Sequence, residues 1–330
     1  PYARRAFPCF DEPGLKATFD VTLNIDKNLQ AISNMPIVKE TKSGDSRIIK
    51  FGRTPKMSTY LLYLSVGEYE FLEDKLGKTV IRIATVPGKS KQAGLALDLA
   101  KKFLSYFQEY SQVPYPLPKL DLIALPDFIV GAMENWGAIT FREIYLLFDP
   151  KMTSTSVKKR IAMIIAHELW HQWFGNLVTM KWWNDLWLNE SFATFMAYKA
   201  VDHFFPEWKM WEDFVDDETA RAFEDDSIRA THPIEVDVKD PHQIEELFDA
   251  ISYSKGGSIL RMLEGYMGYE EFRKGVSDYL SKFKYSNATS EDLWNSLSKI
   301  SSKPVKKIAD KWIRLPGYPL VESDLEDQKL

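Results

Sequence analysis

Apolar and polar residues alternate along the first part of the chain. Phe19, Val21, Leu23 and Ile25 interleave with Thr18, Asp20, Thr22 and Asn24, the two-residue period of a strand with one buried face. The pattern predicts further strands at 47–51, 59–66 and 79–85, with turns at Ser43-Gly44-Asp45 and Leu76-Gly77-Lys78. Residues 1–86 therefore read as an antiparallel β domain. After Pro87-Gly88 the period lengthens: Leu95, Leu99, Phe103 and Phe107 lie on one stripe of a helix over 91–110. A stiff Pro-rich loop (113–118), a strand at 119–125 and another at 141–148 follow. From about residue 190 the chain is mostly helical, which makes the whole α+β. A second domain is expected over 87–320, and residues 321–330 are expected to begin a linker or a next domain.

The chemistry concentrates in residues 161–192. Ile161, Ile164, Ile165, Leu169 and Trp173 give helical spacing, with Gly175 as the predicted stop. On that helix His167 and His171 are four apart and project from one face, so two imidazoles can bind one metal ion. Glu168 lies beside them, placed to act on water without being a ligand. Glu190 opens a second apolar-periodic stretch (Phe192, Phe195, Met196, Ala200) and is the third candidate ligand. Together these residues read as a zinc hydrolase with one Zn2+ per chain. Three protein ligands leave a fourth position for water, whose pKa zinc lowers to roughly 7. Asp185 and Asn189 are candidates to orient a ligand histidine, and Asn189 also reads as a helix cap. The acidic run Asp213, Asp216, Asp217, Glu218, Glu224, Asp225 and Asp226 reads as a solvated helix face. His203, His232 and His242 read as structural or exposed.

Composition narrows the classes. With 330 residues, 45% hydrophobic and 27% charged, the chain has the makings of two domains with a large core. A net charge of −5 gives no reason to propose nucleic acid as a partner. No apolar run approaches the roughly twenty residues that span a bilayer, so no membrane partner is expected. One cysteine, Cys9, forms no internal disulfide and fits a reducing, cytoplasmic setting. The sequence opens at Pro1 and passes almost at once into strand-like residues, so it reads as a piece of something larger.

Gly131-Ala132-Met133-Glu134-Asn135, His167-Glu168-Leu169-Trp170-His171 and Trp187-Leu188-Asn189-Glu190 occur in that order, flanked by Pro8-Cys9-Phe10-Asp11-Glu12-Pro13 and Tyr253-Ser254-Lys255-Gly256. In these motifs the chain resembles the M1 family of zinc aminopeptidases (gluzincins), above all its archaeal tricorn-interacting-factor and puromycin-sensitive branches. The resemblance implies a partial N-terminal β domain followed by a thermolysin-like catalytic domain. It also implies a C-terminal helical domain, outside this sequence, that closes over the cleft. It implies peptide substrates with a free N-terminus, Glu168 as general base and Tyr253 as donor to the oxyanion. Glu134 would pair with the substrate α-ammonium, which an internal peptide bond does not offer. Gly131 and Ala132 are small enough for a peptide to add as a strand, with Met133 and Asn135 beside it and Val130 along the pocket for the first side chain. A gluzincin endopeptidase, an epoxide hydrolase and a non-catalytic scaffold stand as the alternatives.

Overall fold

The computed structural model describes residues 2–149 and 154–323. The predicted class holds: an antiparallel β region comes first, then a largely helical region built on a sheet. The β region comprises β1 (Thr22–Asp26), β2 (Gln30–Ser33), β3 (Ile37–Ser43), β4 (Ser46–Phe51) and β5 (Leu64–Gly67). One sheet has the order β1-β4-β3, and β2 pairs with β5 in another, all antiparallel. The alternation seen in sequence buries Ile25 with Ile49 and Phe51 and packs Val21 and Leu23 on them. The strand predicted at 59–66 is shorter. Thr59–Leu61 is a 3-10 turn, because Thr59 donates to Asp11 and the Leu61 carbonyl is taken by Asn34.

A five-stranded sheet follows, from β6 (Glu70–Leu76), β7 (Thr79–Thr85), β8 (Lys119–Leu125), β9 (Ala132–Met133) and β10 (Ala138–Arg142), in the order β6-β7-β8-β10-β9. β7, β8 and β10 run parallel, while β6 and β9 are antiparallel edges. β7 thus joins the same sheet as β8. The strand predicted at 141–148 stops at Arg142, whose side chain turns back to the Phe128 carbonyl (2.8 Å) as Glu143–Tyr145 forms a 3-10 turn.

Helix α1 (Gly94–Ser111) buries Leu99, Phe103 and Phe107 as the stripe requires. α2 (Thr155–Trp170) starts at Ser154, whose hydroxyl accepts from the Val157 N–H. It ends at Trp170, not at Gly175. His171 is the C-cap residue, and Gly175 (φ +127°) shapes the loop beyond. After β11 (Val178–Met180) comes α3 (Leu186–Phe204), which packs closely on α2. α3 begins three residues before Asn189, so Asn189 is not its cap. Trp170, Phe174, Phe192 and Tyr279 stack between these elements, with Phe174 and Phe192 centroids 4.1 Å apart. The remaining helices are α4 (Met210–Asp213), α5 (Ala220–Asp226), α6 (Gly256–Met267), α7 (Tyr269–Phe283), α8 (Ser290–Ile300) and α9 (Val305–Ile313), with β12 (Ser286–Ala288) paired to β11. Two π-helical turns, Phe214–Thr219 and Ile251–Lys255, contact each other. Among the described residues no helix is long and apolar enough to cross a membrane. Residues 324–330, assigned from sequence to a linker or next domain, lie outside the described residues.

The turn between β9 and β10 is fixed from beneath by buried polar groups. The Lys119 ammonium donates at 2.7 Å to the Ser33 carbonyl, the Gly137 carbonyl and Asp121, which Arg82 also grips. Asn34 donates to the Leu61 and Trp136 carbonyls. Gly137 has φ +74°, and a Cβ there would come within 2.7 Å of the Asn34 carbonyl oxygen and of Leu117 Cδ1. Gly137→Ala is therefore expected to lower unfolding free energy by about 2–4 kcal/mol, combining left-handed strain with overpacking, as read from the urea midpoint.

Candidate metal centre and cleft

Three side chains meet where α2 and α3 face each other. His167 Nε2 lies 3.2 Å from Glu190 Oε2 and 3.1 Å from His171 Nε2, and His171 Nε2 lies 3.4 Å from Glu190 Oε2. Metal–ligand bonds of about 2.0–2.2 Å in a tetrahedral site put ligand atoms about 3.3 Å apart, so the triangle has the size such an ion requires. Two imidazole nitrogens facing each other at 3.1 Å need a proton or a metal ion between them to take up their lone pairs. The His171 tautomer is fixed by its other nitrogen, which donates to the Phe174 carbonyl at 3.0 Å and leaves Nε2 free to coordinate. That carbonyl takes the orienting role considered for Asp185 and Asn189. Asp185 instead accepts from the Ser290 N–H, and Asn189 sits against Met180 and the Tyr60 hydroxyl.

The electrostatics favour a cation here. Burial opposes charge on His171, yet the carboxylates of Glu134 and Glu190 outweigh it and hold the imidazole up at about 10. Burial also lowers His167, and the two imidazoles overcome the burial of Glu190 to hold its carboxyl well below the usual range. Glu168 and Glu134 are pushed the other way, first by burial and then by neighbouring carboxylates. A divalent cation at the triangle would reverse that push and leave both ionised. Glu168 Oε2 is buried without a hydrogen-bond partner, and a carboxylate oxygen of Glu168 comes within 4.8 Å of both Glu134 and His171. A buried acceptor without a partner is costly and calls for an explanation.

The other residues singled out from sequence gather around this point. Glu134 and Asn135 are buried just past the edge strand β9, while Gly131, Ala132 and Met133 are half-buried along it. Val130 is 53% exposed on the loop leading in. Among the described strands none pairs with the outer edge of β9. The Tyr253 ring lies parallel to that of His167 at 5.9 Å, carried by the π-helical turn. Burial, then the charge of Glu190, drives its phenol well above the ordinary value, so the hydroxyl keeps its proton. The acidic run is not wholly solvated: Asp226 is buried against Lys255 at 2.8 Å, and Glu218 accepts from Ser254 and Tyr198.

Three residues escaped the sequence reading. Tyr60, from the β region, places its hydroxyl 3.3 Å from the Gly175 carbonyl, in the field of Glu134 and Glu190. Nothing in the local pattern marks it. Gln172 and Asn176 are fully buried beside the centre. Their only signal is the presence of two amides among Trp170, Trp173, Phe174 and Leu177, where the spacing calls for apolar residues.

Residues 95–312 match the peptidase family M1 domain, and residues 1–61 match the peptidase M1 N-terminal domain. The chain is 54% identical over 329 residues to a probable aminopeptidase 2 of Sulfurisphaera tokodaii, covering 100% of this chain and 42% of that protein. It is 50% identical to a leucyl aminopeptidase of Saccharolobus solfataricus, with 100% and 42% coverage. Against the tricorn protease-interacting factor F2 of Thermoplasma acidophilum it is 53% identical over 319 residues, covering 97% and 41%. The chain thus spans about two-fifths of the length of these curated relatives. With both domain patterns matched and half the residues shared from end to end, the chain belongs to peptidase family M1.

Proposed function

We propose that this chain carries the catalytic centre of a zinc-dependent aminopeptidase that releases residues from the free N-terminus of peptides. The observation that carries the proposal is the triangle of His167, His171 and Glu190 donor atoms at 3.1–3.4 Å, with Glu168 and Glu134 buried beside it. His167, His171 and Glu190 would hold the ion. When bound, zinc supplies Lewis acidity and a nucleophilic hydroxide at neutral pH. Glu168 then serves as the base that takes the proton from attacking water and hands it to the departing amine. The Tyr253 hydroxyl, which keeps its proton, donates to the oxyanion as the carbonyl becomes tetrahedral. Glu134 pairs with the substrate α-ammonium, and a charge there is what separates an N-terminal residue from an internal one. Gly131, Ala132 and Met133 present the unpaired edge of β9 to the peptide backbone, with Asn135 closing the turn behind Glu134 and Val130 lining the pocket for the first side chain. The printed names of the relatives support the aminopeptidase reading, and a tricorn-like protease is a partner suggested by one of them.

The test is a panel of aminoacyl anilides and their N-acetylated forms, assayed with and without a chelator. Free-amine substrates are expected to be cleaved at least about a hundredfold faster than acetylated ones, since the charged pairing is lost and Glu134 is left buried and alone. Chelation is expected to abolish turnover and zinc to restore it. Equal cleavage of acetylated substrates would point to an endopeptidase, and activity unmoved by chelation would remove the zinc assignment.

A further inference from the structure

We infer that Gln172 and Asn176 are positioning residues that lock the Glu134 carboxylate to the metal-binding helix. The inference rests on Glu134 being the group that meets the substrate amine. β9 is two residues long, with Met133 opposite Thr140 and Ala132 opposite Phe141, and backbone bonds run from the Arg142 N–H to the Gly131 carbonyl and from the Ala138 N–H to the Asn135 carbonyl, each at 2.9 Å. Glu134 itself lies past the ladder, and its carbonyl is held by two amides. The Glu134 carbonyl accepts from Gln172 Nε2 at 3.2 Å and from Asn176 Nδ2 at 2.8 Å, which uses both of its lone pairs. Gln172 Oε1 accepts from the Gly137 N–H at 3.2 Å, so one side chain spans the turn from Glu134 to Gly137.

Both amides come from the loop that leaves α2. Gln172 is the residue after His171 and also donates to the Glu168 carbonyl at 3.3 Å. The Asn176 N–H donates to the His171 carbonyl at 3.0 Å, within the same loop whose Phe174 carbonyl orients the His171 ring. The loop therefore binds one imidazole through Phe174 and the backbone of the amine-binding glutamate through Gln172 and Asn176. Gly175 keeps it tight, since a Cβ there would press on Asn189 at 3.2 Å and on the His171 carbonyl at 3.4 Å. Both amides are fully buried, and Asn176 Oδ1 has no partner among the described residues. A packing role alone would be better filled by an apolar side chain, because a half-satisfied buried amide is costly. The distance between the amine carboxylate and the ion sets whether the scissile carbonyl reaches the metal, and a misplacement of about 1 Å can cost about a hundredfold.

The experiment measures calorimetric binding of two zinc-directed probes, leucine hydroxamate and its des-amino isostere isocaproyl hydroxamate, to the zinc-loaded protein. Wild type, Asn176→Ala, Gln172→Met, Glu134→Ala and the Asn176→Ala/Glu134→Ala double variant are compared, with zinc content measured for each. The wild type is expected to prefer the amine-bearing probe, and Glu134→Ala to collapse that preference. Asn176→Ala and Gln172→Met are each expected to reduce it at least about tenfold, with zinc retained and the des-amino probe bound within about twofold of wild type. Adding Asn176→Ala to Glu134→Ala is expected to change the preference no further. If Asn176→Ala and Gln172→Met keep the full preference while Glu134→Ala loses it, the inference falls and the proposed function stands. Equal weakening of both probes, or loss of zinc, would make the two amides merely structural and overturn the inference. A wild type with no preference would remove the reading of Glu134 and the inference together.

Discussion

Glu168→Gln is expected to lower kcat by about 10²–10⁴-fold while the protein keeps its zinc, because a positioned general base contributes that much and Glu168 is not one of the three triangle atoms. The substitution keeps shape and removes only the ability to take a proton. Its effect on stability runs the opposite way. Burial drives the Glu168 carboxyl well above its ordinary value, so the native metal-free protein disfavours the ionised form. An acid raised in this way costs stability as pH climbs past the ordinary carboxylate range, and that cost is present at neutral pH. The amide carries no such cost. In the presence of chelator, Glu168→Gln should therefore melt at or above the wild-type temperature at pH 7, with the difference shrinking toward pH 4. Scanning calorimetry and single-turnover kinetics check the two halves. A variant that turns over normally would remove the general-base role.

Tyr253→Phe is expected to cost about 10²–10³-fold in kcat, near 2.7–4 kcal/mol of transition-state stabilisation, with KM and zinc content little changed. The hydroxyl faces Glu190 and the ring lies parallel to His167, so the phenylalanine ring can occupy the same place. Only the donor is lost. A fall in kcat and kcat/KM by the same factor is the signature of an interaction made only in the transition state. Near-normal kcat would transfer the oxyanion role elsewhere, whereas a rise in KM alone would make Tyr253 a binding residue.

Much of this arrangement was legible in the sequence, and the reasons differ by element. The helical spacing of His167 and His171 carries geometric information by itself, since four residues make about one turn wherever the helix lies. The stripe of α1 and the strand at Lys119–Leu125 were equally plain, because packing on one face leaves a periodic trace. What the pattern could not carry is any contact that depends on a turn. Thr59–Leu61 and Glu143–Tyr145 have strand-like composition, yet side chains distant in sequence draw their backbones into 3-10 turns. Asn189 looks like a cap because it stands before an apolar run, but α3 starts earlier, at Leu186. Asp226 and Glu218 look like members of a solvated face because their partners Lys255 and Ser254 are 29 and 36 residues away. The π-helical turn under Tyr253 leaves no periodic trace at all. Gln172, Asn176 and Tyr60 act through backbone carbonyls, and a carbonyl has no letter in the sequence.

The Lys119 ammonium depends for one of its three acceptors on Ser33, and the Trp136 carbonyl depends on Asn34. Both of those partners belong to the opening β region, while Trp136 lies in the turn that follows Glu134 and Lys119 holds that turn through the Gly137 carbonyl. The β region is therefore a support of that turn and not an appendage to it. Anyone trimming the chain to its helical part would leave a buried cation short of an acceptor and a tryptophan carbonyl facing nothing. Such a truncate would keep His167, His171 and Glu190 and still mis-set the Glu134 carboxylate, so on the proposed roles loss of specificity would precede loss of metal.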